Sequence, residues 1–131
     1  MRPLVAQLRD AEEGLVHRPA LEDMKVKNVE ANATGVIIFG EYLDGHASDV
    51  EVRACAPACG VNEDPVCGSG SGAMAAFIRH TKQADYFGKH VQASQGAVLG
   101  REGVIYLTIS DDSIQVGGNA VTCIDGEISV G

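Results

Sequence analysis

The feature that most constrains the fold is one strongly apolar helical segment, SGAMAAFIRHTKQ, at residues 71–83. Its apolar side chains occur around most of the helix circumference: Ala73, Met74, Ala76, Phe77 and Ile78. A helix that is apolar on most sides is buried rather than lying on a surface. The sequence therefore predicts that the rest of the chain surrounds this helix.

The remainder of the chain predicts short strands separated by turns, which agrees with its sixteen glycines. Ahead of the helix, strands are predicted at 3–8, 34–43 and 48–57, and the last two form a hairpin around the turn DGH. Residues 1–33 are a lead-in segment, in which a polar loop precedes a short helix near 19–30. After the central helix, the predicted strands are HVQASQG, GVIYLTIS, SIQVGG, AVTCI and EISVG.

These patterns predict a single α+β domain over residues 1–131, in which a largely antiparallel, barrel-like sheet is wrapped around the central apolar helix. A chain of 131 residues is long enough for one domain with its own core. Its formal net charge of −8 and lack of a basic cluster disfavour nucleic acid and anionic membrane surfaces as partners. No apolar run approaches the ~18 residues of a membrane span.

The four cysteines and the N-terminal sequence bear on location. The start MRPLVAQLRDAEEG does not have the pattern of a secretory signal. Four cysteines in such a chain are expected to be reduced thiols rather than a disulfide framework. We therefore expect a cytoplasmic location.

The bend EDPVCGSGSG, residues 63–72, carries the candidate chemistry. A glycine-rich turn that opens a helix leaves backbone N–H groups unpaired at the positive end of the helix dipole, an arrangement that binds carboxylates or phosphates. The same field favours a reactive thiolate at Cys67, and Glu63 and Asp64 are close enough in sequence to shuttle protons. The alternative is purely structural: an ordinary helix cap, with Cys67 as a small apolar filler.

The stretch RACAPACGVNEDPVCGSGSGAMAAFI resembles the signature of the phenazine-biosynthesis (PhzF-like) isomerase family, in which Arg-x-Phe-Ala-Pro is followed by Gly-Val-x-Glu-Asp-Pro and a turn into a buried helix. QGAVLGR (95–101) and IQVGGNAVTCIDGEISV are similar to later motifs of that family, so order and spacing agree from about residue 34 onward. The resemblance implies the diaminopimelate-epimerase fold, with two lobes facing each other across a cleft. This chain is similar to the C-terminal lobe.

The resemblance also implies site residues. Asp64 matches the family's active-site Asp, and Ser69 matches the Ser of its Thr-Gly-Ser turn. The amides of Gly68, Ser69 and Gly70 would hold a substrate carboxylate. Cys67 stands where those isomerases commonly have Thr, yet VCGSG is similar to the turn of diaminopimelate epimerases and proline racemases, whose Cys is an acid/base thiol. Asp64 and Cys67 are therefore both acid/base candidates.

The family's N-terminal lobe supplies a further acid/base Glu, and nothing before Thr34 resembles it. Three alternatives follow: a symmetric homodimer in which each subunit completes the other's cleft, a separate polypeptide that supplies the N-terminal lobe, or a lobe that catalyses nothing. The expected function is isomerase or epimerase chemistry on a small carboxylate-bearing metabolite. The competing class is a non-catalytic binding lobe or a vestigial one.

No metal or organic cofactor is expected. The candidates for a zinc site are Cys55, Cys59, Cys67 and His80. The spacing of Cys55 and Cys59 around Pro57 fits zinc poorly. Cys55 occupies the position of the family's Phe and is expected in the core. The sequence does not name the substrate.

Overall fold

In a computed structural model that describes residues 2–43 and 45–131, the chain forms one mixed sheet and four α-helices. The strands are Leu4–Gln7 (β1), Val36–Glu41 (β2), Val50–Ala56 (β3), Val61–Asp64 (β4), His90–Gln95 (β5), Gly103–Ile109 (β6) and Ile114–Gly117 (β7). The helices are Ala11–Val16 (α1), Leu21–Glu30 (α2), Gly68–His80 (α3) and Ala84–Phe87 (α4). Two 3-10 turns, Pro57–Cys59 and Ala97–Leu99, complete the described elements.

The sheet has the order β1-β2-β3-β5-β6-β7, with β4 beside the end of β3. The pairs β1–β2 and β3–β5 are parallel and the other pairs are antiparallel. β2 and β3 pair from Val36 opposite Cys55 to Glu41 opposite Val50, which confirms the predicted pairing of these two strands. Asp44, in the predicted DGH turn, lies outside the described residues.

β3 is shared by three neighbours. β2 occupies one of its edges along almost its whole length, so β5 and β4 must share the other. Val50–Val52 pair with β5, and Ala54 and Ala56 pair with Asp64 and Val61 of β4, with a register irregularity between the two pairs. Because β4 runs directly into the bend, this arrangement brings the start of α3 close to the end of β5.

The predicted central helix is confirmed. Met74, Ala75 and Ile78 are fully buried, and they pack with Phe39 and with alternate residues of β3. α3 contacts β1 and β2 at one end of the sheet and β6 and β7 at the other. The sheet must therefore curve around the helix, as the fold class predicted. None of the helices in the described part of the chain is long and apolar enough to cross a membrane.

The helix boundaries differ from the prediction in two places. α3 begins at Gly68, three residues earlier than predicted, because the Cys67 side chain caps it. The predicted loop ahead of residue 19 contains α1 instead. Asp10 Oδ1 accepts the Glu13 N–H at 2.8 Å while Glu13 Oε2 accepts the Arg9 N–H at 2.9 Å, which is a reciprocal cap of the capping-box type. β4 and α4 were also not predicted.

The strands predicted in AVTCI and EISVG are wrong. Residues 118–131 have no regular structure. Four of their apolar side chains are 86–92% exposed: Val121, Ile124, Ile128 and Val130. A strand needs a neighbouring backbone to hydrogen-bond with, and the described residues offer this segment none.

A buried ion pair joins the sheet to the first helix. Arg53 donates from Nε and Nη2 to the two carboxylate oxygens of Glu63, both at 2.8 Å. Its Nη1 donates to the carbonyl oxygens of Gly14 at 2.9 Å and His17 at 2.6 Å. The two charged side chains are only 5% and 11% exposed. The pair therefore ties β3, β4 and α1 together in a place where both charges are largely shielded from water.

We expect Arg53→Met to lower the free energy of unfolding by about 3–5 kcal/mol, because it leaves the Glu63 carboxylate buried without its partner. Urea unfolding followed by circular dichroism measures this. The control is Arg9→Met, which breaks an ion pair with Asp10 whose arginine is 78% exposed and should change stability little. Equal losses in the two variants would contradict the structural role of Arg53.

Candidate functional site

The site is built around the cap of α3. Cys67 is the N-cap residue, and its Sγ accepts the Gly70 N–H at 3.3 Å. Sγ also lies 3.6 Å from the Ser69 hydroxyl oxygen. A Cβ at Gly70 would lie 2.6 Å from Cδ1 of Ile37 and 3.1 Å from Sγ, so a larger residue would displace these side chains. The glycine thus allows the thiol to fold back over the helix start.

Gln95, the last residue of β5, holds the bend in position through two hydrogen bonds. The residue is 1% exposed; its Nε2 donates to the carbonyl oxygen of Asp64 at 2.7 Å, and its Oε1 accepts the Cys67 N–H at 3.1 Å. One buried amide therefore holds both predicted acid/base residues through their backbone. Sequence reasoning placed Gln95 in the QGAVLGR motif but assigned it no role, because only the fold brings β5 under the bend.

The next glycine adds to this support. Gly96 has a φ of +95°, and a Cβ there would lie 2.7 Å from the carbonyl oxygen of Pro65. A side chain would therefore both strain the backbone and push the bend away from β5. The Gln95-Gly96 pair thus holds the bend in place.

Asp64 and Cys67 line one cavity of about 250 Å³. Both residues are half-buried, and Asp64 Oδ1 accepts the Val66 N–H at 3.0 Å. Glu63, the other acid of the bend, is held by Arg53 instead and does not line the cavity. The structure therefore brings together the two predicted catalytic residues and separates the neighbouring carboxylate from them.

Two of the three backbone amides that were predicted to hold a carboxylate are accessible to a ligand. The first-turn amides of a helix have no partner inside it. Those of Gly68 and Ser69 also have no acceptor within the described residues, and both residues are exposed. Gly70 is buried and its amide donates to Sγ. An incoming anion can therefore reach the first two amides, whereas the third positions the sulfur.

The start of α3 lies between two cavities. The first, which we call the thiol cavity, has mostly uncharged walls: Pro3, Thr34, Gly35, Ile37, Ala54, Cys55, Ala56, Cys59 and Val61, with Asp64 and Cys67. The second, of about 450 Å³, is lined by Gly68 together with Val66, Glu102, Gly103, Val104, Ile105 and the segment Val116–Asn119. Only the thiol cavity contains the two predicted acid/base residues.

The other cysteines differ in environment. Cys55 is buried, and burial raises the pKa of its thiol to about 11, with the nearby Glu63 carboxylate adding to the effect. Cys59 is exposed, and its thiol donates to the carbonyl oxygen of Thr34 at 3.4 Å. Within the ranges 2–43 and 45–131, no three His, Cys, Asp or Glu side chains come close enough to hold a metal ion.

The sequence analysis did not predict a second polar cluster, which is formed by Glu51, Tyr42 and Ser94. Glu51 is 2% exposed on the face of β3 turned away from α3, and its Oε2 accepts from the hydroxyl groups of Tyr42 and Ser94. Its Oε1 is buried without a partner among the described residues, and burial raises the pKa of the carboxyl. Glu51 and Arg53 share this face of β3, and chain packed over it buries both charged side chains.

Comparison with known proteins identifies a family that this sequence matches. The sequence matches the family of phenazine biosynthesis-like proteins (PhzC-PhzF) over residues 2–126. The sequence motifs indicated a resemblance only from about residue 34. The family match begins earlier, at residue 2. Two relatives are named uncharacterized isomerases. One, from Schizosaccharomyces pombe, is 37% identical over 106 residues, and the other, from Clostridium acetobutylicum, is 36% identical over 101 residues.

Coverage is unequal in these comparisons. The matches take in 74% and 72% of this chain but only 55% and 33% of the two relatives. A crystal structure of a PhzF-family phenazine biosynthesis protein from Enterococcus faecalis superposes with a TM-score of 0.68 at 24% identity. It covers 96% of this chain and 44% of the solved chain. The chain thus spans about half the length, or less, of the proteins it matches, and its fold is that of one lobe.

We expect Cys55 to resist alkylation in the folded protein. A pKa of about 11 instead of 9.0 lowers its thiolate fraction at pH 8 about 100-fold, so iodoacetamide should modify it correspondingly slowly. Peptide mass spectrometry over time measures the rate. Cys59 lines the same cavity but is exposed, and it serves as the internal reference. Equal rates at Cys55 and Cys59 would show that the thiol is not buried as described.

Proposed function

Because the chain belongs to the phenazine biosynthesis-like protein family, we propose that it catalyses an isomerase- or epimerase-type proton transfer on a small carboxylate-bearing metabolite. The observation that carries the proposal is the shared cavity of Asp64 and Cys67 beside the two open amides of Gly68 and Ser69. The isomerase names of the relatives from yeast and Clostridium support the reaction class.

The substrate carboxylate binds at the start of α3 in this proposal. The free N–H groups of Gly68 and Ser69 donate to its oxygens, and the positive end of the helix dipole adds to the attraction. Ser69 also presents its hydroxyl group near Sγ. Gly70 contributes by holding the sulfur rather than by donating to the substrate.

The proton moves at the carbon next to that carboxylate. One acid/base group removes it, the electron pair is delocalised into the carboxylate or an adjacent double bond, and a second group returns a proton to another face or another carbon. Return to the opposite face is epimerisation, and return to another carbon is a proton-shifting isomerisation. Cys67 and Asp64 are the candidates for these roles because both line the thiol cavity.

We further propose that a second copy of this chain completes the cleft, with the two Cys67 residues facing each other. Two features support a covered surface. The apolar side chains of residues 118–131 are almost fully exposed, and soluble chains rarely leave such a run uncovered. In addition, β1 and β7 end the sheet with edges that no other described strand pairs with. The alternative is that a separate polypeptide, forming the N-terminal lobe, completes the cleft.

A non-catalytic binding lobe is the second candidate function. One observation favours it: among the described residues that line the thiol cavity, no carboxylate other than Asp64 and no histidine is present. Such a lobe would keep the carboxylate-binding turn but would leave the substrate's proton in place.

We expect the chain to be a dimer at micromolar concentration. Sedimentation velocity measures the mass, and Ile124→Asp should shift the protein toward monomer by placing a charge in the surface that the partner covers. Val26→Asp is the matched control, because Val26 is also exposed, at 58%, but lies on α2. A protein that remains monomeric at all concentrations would rule out a cleft shared between two copies.

We expect the protein to incorporate solvent deuterium next to the carboxylate of its substrate, tested over a panel of amino acids and hydroxy-acids by NMR. Cys67→Ser should slow exchange about 100-fold or more, the usual contribution of a positioned acid/base group. Cys59→Ser is the control, since Cys59 lines the cavity but is not part of the bend. Equal exchange in wild type and Cys67→Ser would show that Cys67 is not a base, and no exchange from a dimer would favour the non-catalytic lobe.

A further inference from the structure

We propose, building on the function proposed above, that the substrate is a carboxylate with an aliphatic side group, and that the thiol cavity binds this group with Val61 setting its size limit. The inference goes beyond proton transfer because it names which part of the substrate is recognised apart from the carboxylate. It rests on the lining of the cavity and on its position beside the acid/base pair.

The lining of the thiol cavity is suited to hydrocarbon. Its walls are formed by apolar or small side chains, among them Ile37, Ala54, Ala56 and Val61. Asp64 is the one carboxylate among the described residues that line it. A charged or strongly polar side group would lose its hydration there without gaining partners.

The second cavity is a poorer site for this group. Its lining includes the Glu102 carboxylate and Asn119, and neither Asp64 nor Cys67 reaches it. A substrate whose carboxylate sits on the Gly68 and Ser69 amides can direct its side group into either cavity. Only the thiol cavity brings the adjacent carbon toward the groups that would move its proton.

The size of the thiol cavity limits the substrate. A volume of about 250 Å³ is just below the usual range for ligand pockets, which suits a short metabolite rather than an extended one. Val61 lies at the rim of the cavity, at 42% exposure. Enlarging its side chain should therefore shorten the longest aliphatic group that fits.

The test uses four simple probes: acetate, propanoate, butanoate and pentanoate. Each is titrated into the wild-type protein at constant ionic strength, and the amide signals of Gly68 and Ser69 are followed by NMR. We expect the Kd to fall about fourfold for each added methylene, because each one leaves water for an apolar wall. We expect 4-hydroxybutanoate, with as many heavy atoms as pentanoate, to bind roughly tenfold more weakly because its hydroxyl group finds no partner.

Two variants locate the binding of the side group. Val61→Phe should remove the dependence on chain length while leaving acetate binding within about twofold. Val61 is exposed, so we expect the protein to fold with this substitution. Val116→Phe is the matched control: Val116 is also 42% exposed, but it lines the second cavity.

The outcomes separate the two proposals. If acetate binds but the Kd does not depend on chain length, or if Val116→Phe rather than Val61→Phe removes the dependence, the inference is wrong while the carboxylate-binding turn stands. If none of the acids shifts the Gly68 and Ser69 signals, the turn does not bind carboxylates. The proposed function then fails, and the inference fails with it.

Discussion

The site depends on the two hydrogen bonds that buried Gln95 makes to the bend. A glycine-rich turn is flexible by composition, and the first turn of a helix has few internal bonds to hold it. Gln95 fixes the carbonyl oxygen of Asp64 and the amide of Cys67 from the end of β5, at 2.7 and 3.1 Å. Its amide is buried, so these bonds do not compete with water. The two open amides and the thiol therefore have fixed positions relative to each other.

The geometry of β4 explains why two adjacent acids have different roles. Successive side chains of a strand point to opposite faces. Asp64 lies opposite Ala54, whose side chain belongs to the core around α3, and so Asp64 reaches the thiol cavity. Glu63 points to the other face, where Arg53 binds both of its oxygens. The ion pair neutralises one carboxylate of the bend and leaves the other available.

The sequence predicted the features that depend on local pattern. The apolar run of α3, the antiparallel pair β2–β3 and the motifs of the bend were all identifiable, because each is written in consecutive residues. The features it missed depend on contacts between distant segments. Burial of Glu51 needs Ser94 on β5, and the role of Gln95 needs the packing of β5 under the bend. α1 is an exception, since Asp10 and Glu13 carry a capping signal that was read as part of a polar loop.

The unpaired segment at residues 118–131 and the proposed shared cleft call for the same physical remedy. An alternating apolar segment forms a strand only where another backbone pairs with it, and an acid/base site reverses configuration only where a second group faces the first. In the described part of the chain no strand pairs with the tail, and Asp64 and Cys67 both belong to one short bend. A single partner of the same fold would supply both, because it would cover the tail and place a helix start opposite Cys67. In the proposed dimer, the exposed tail and the open helix start would therefore meet the same partner.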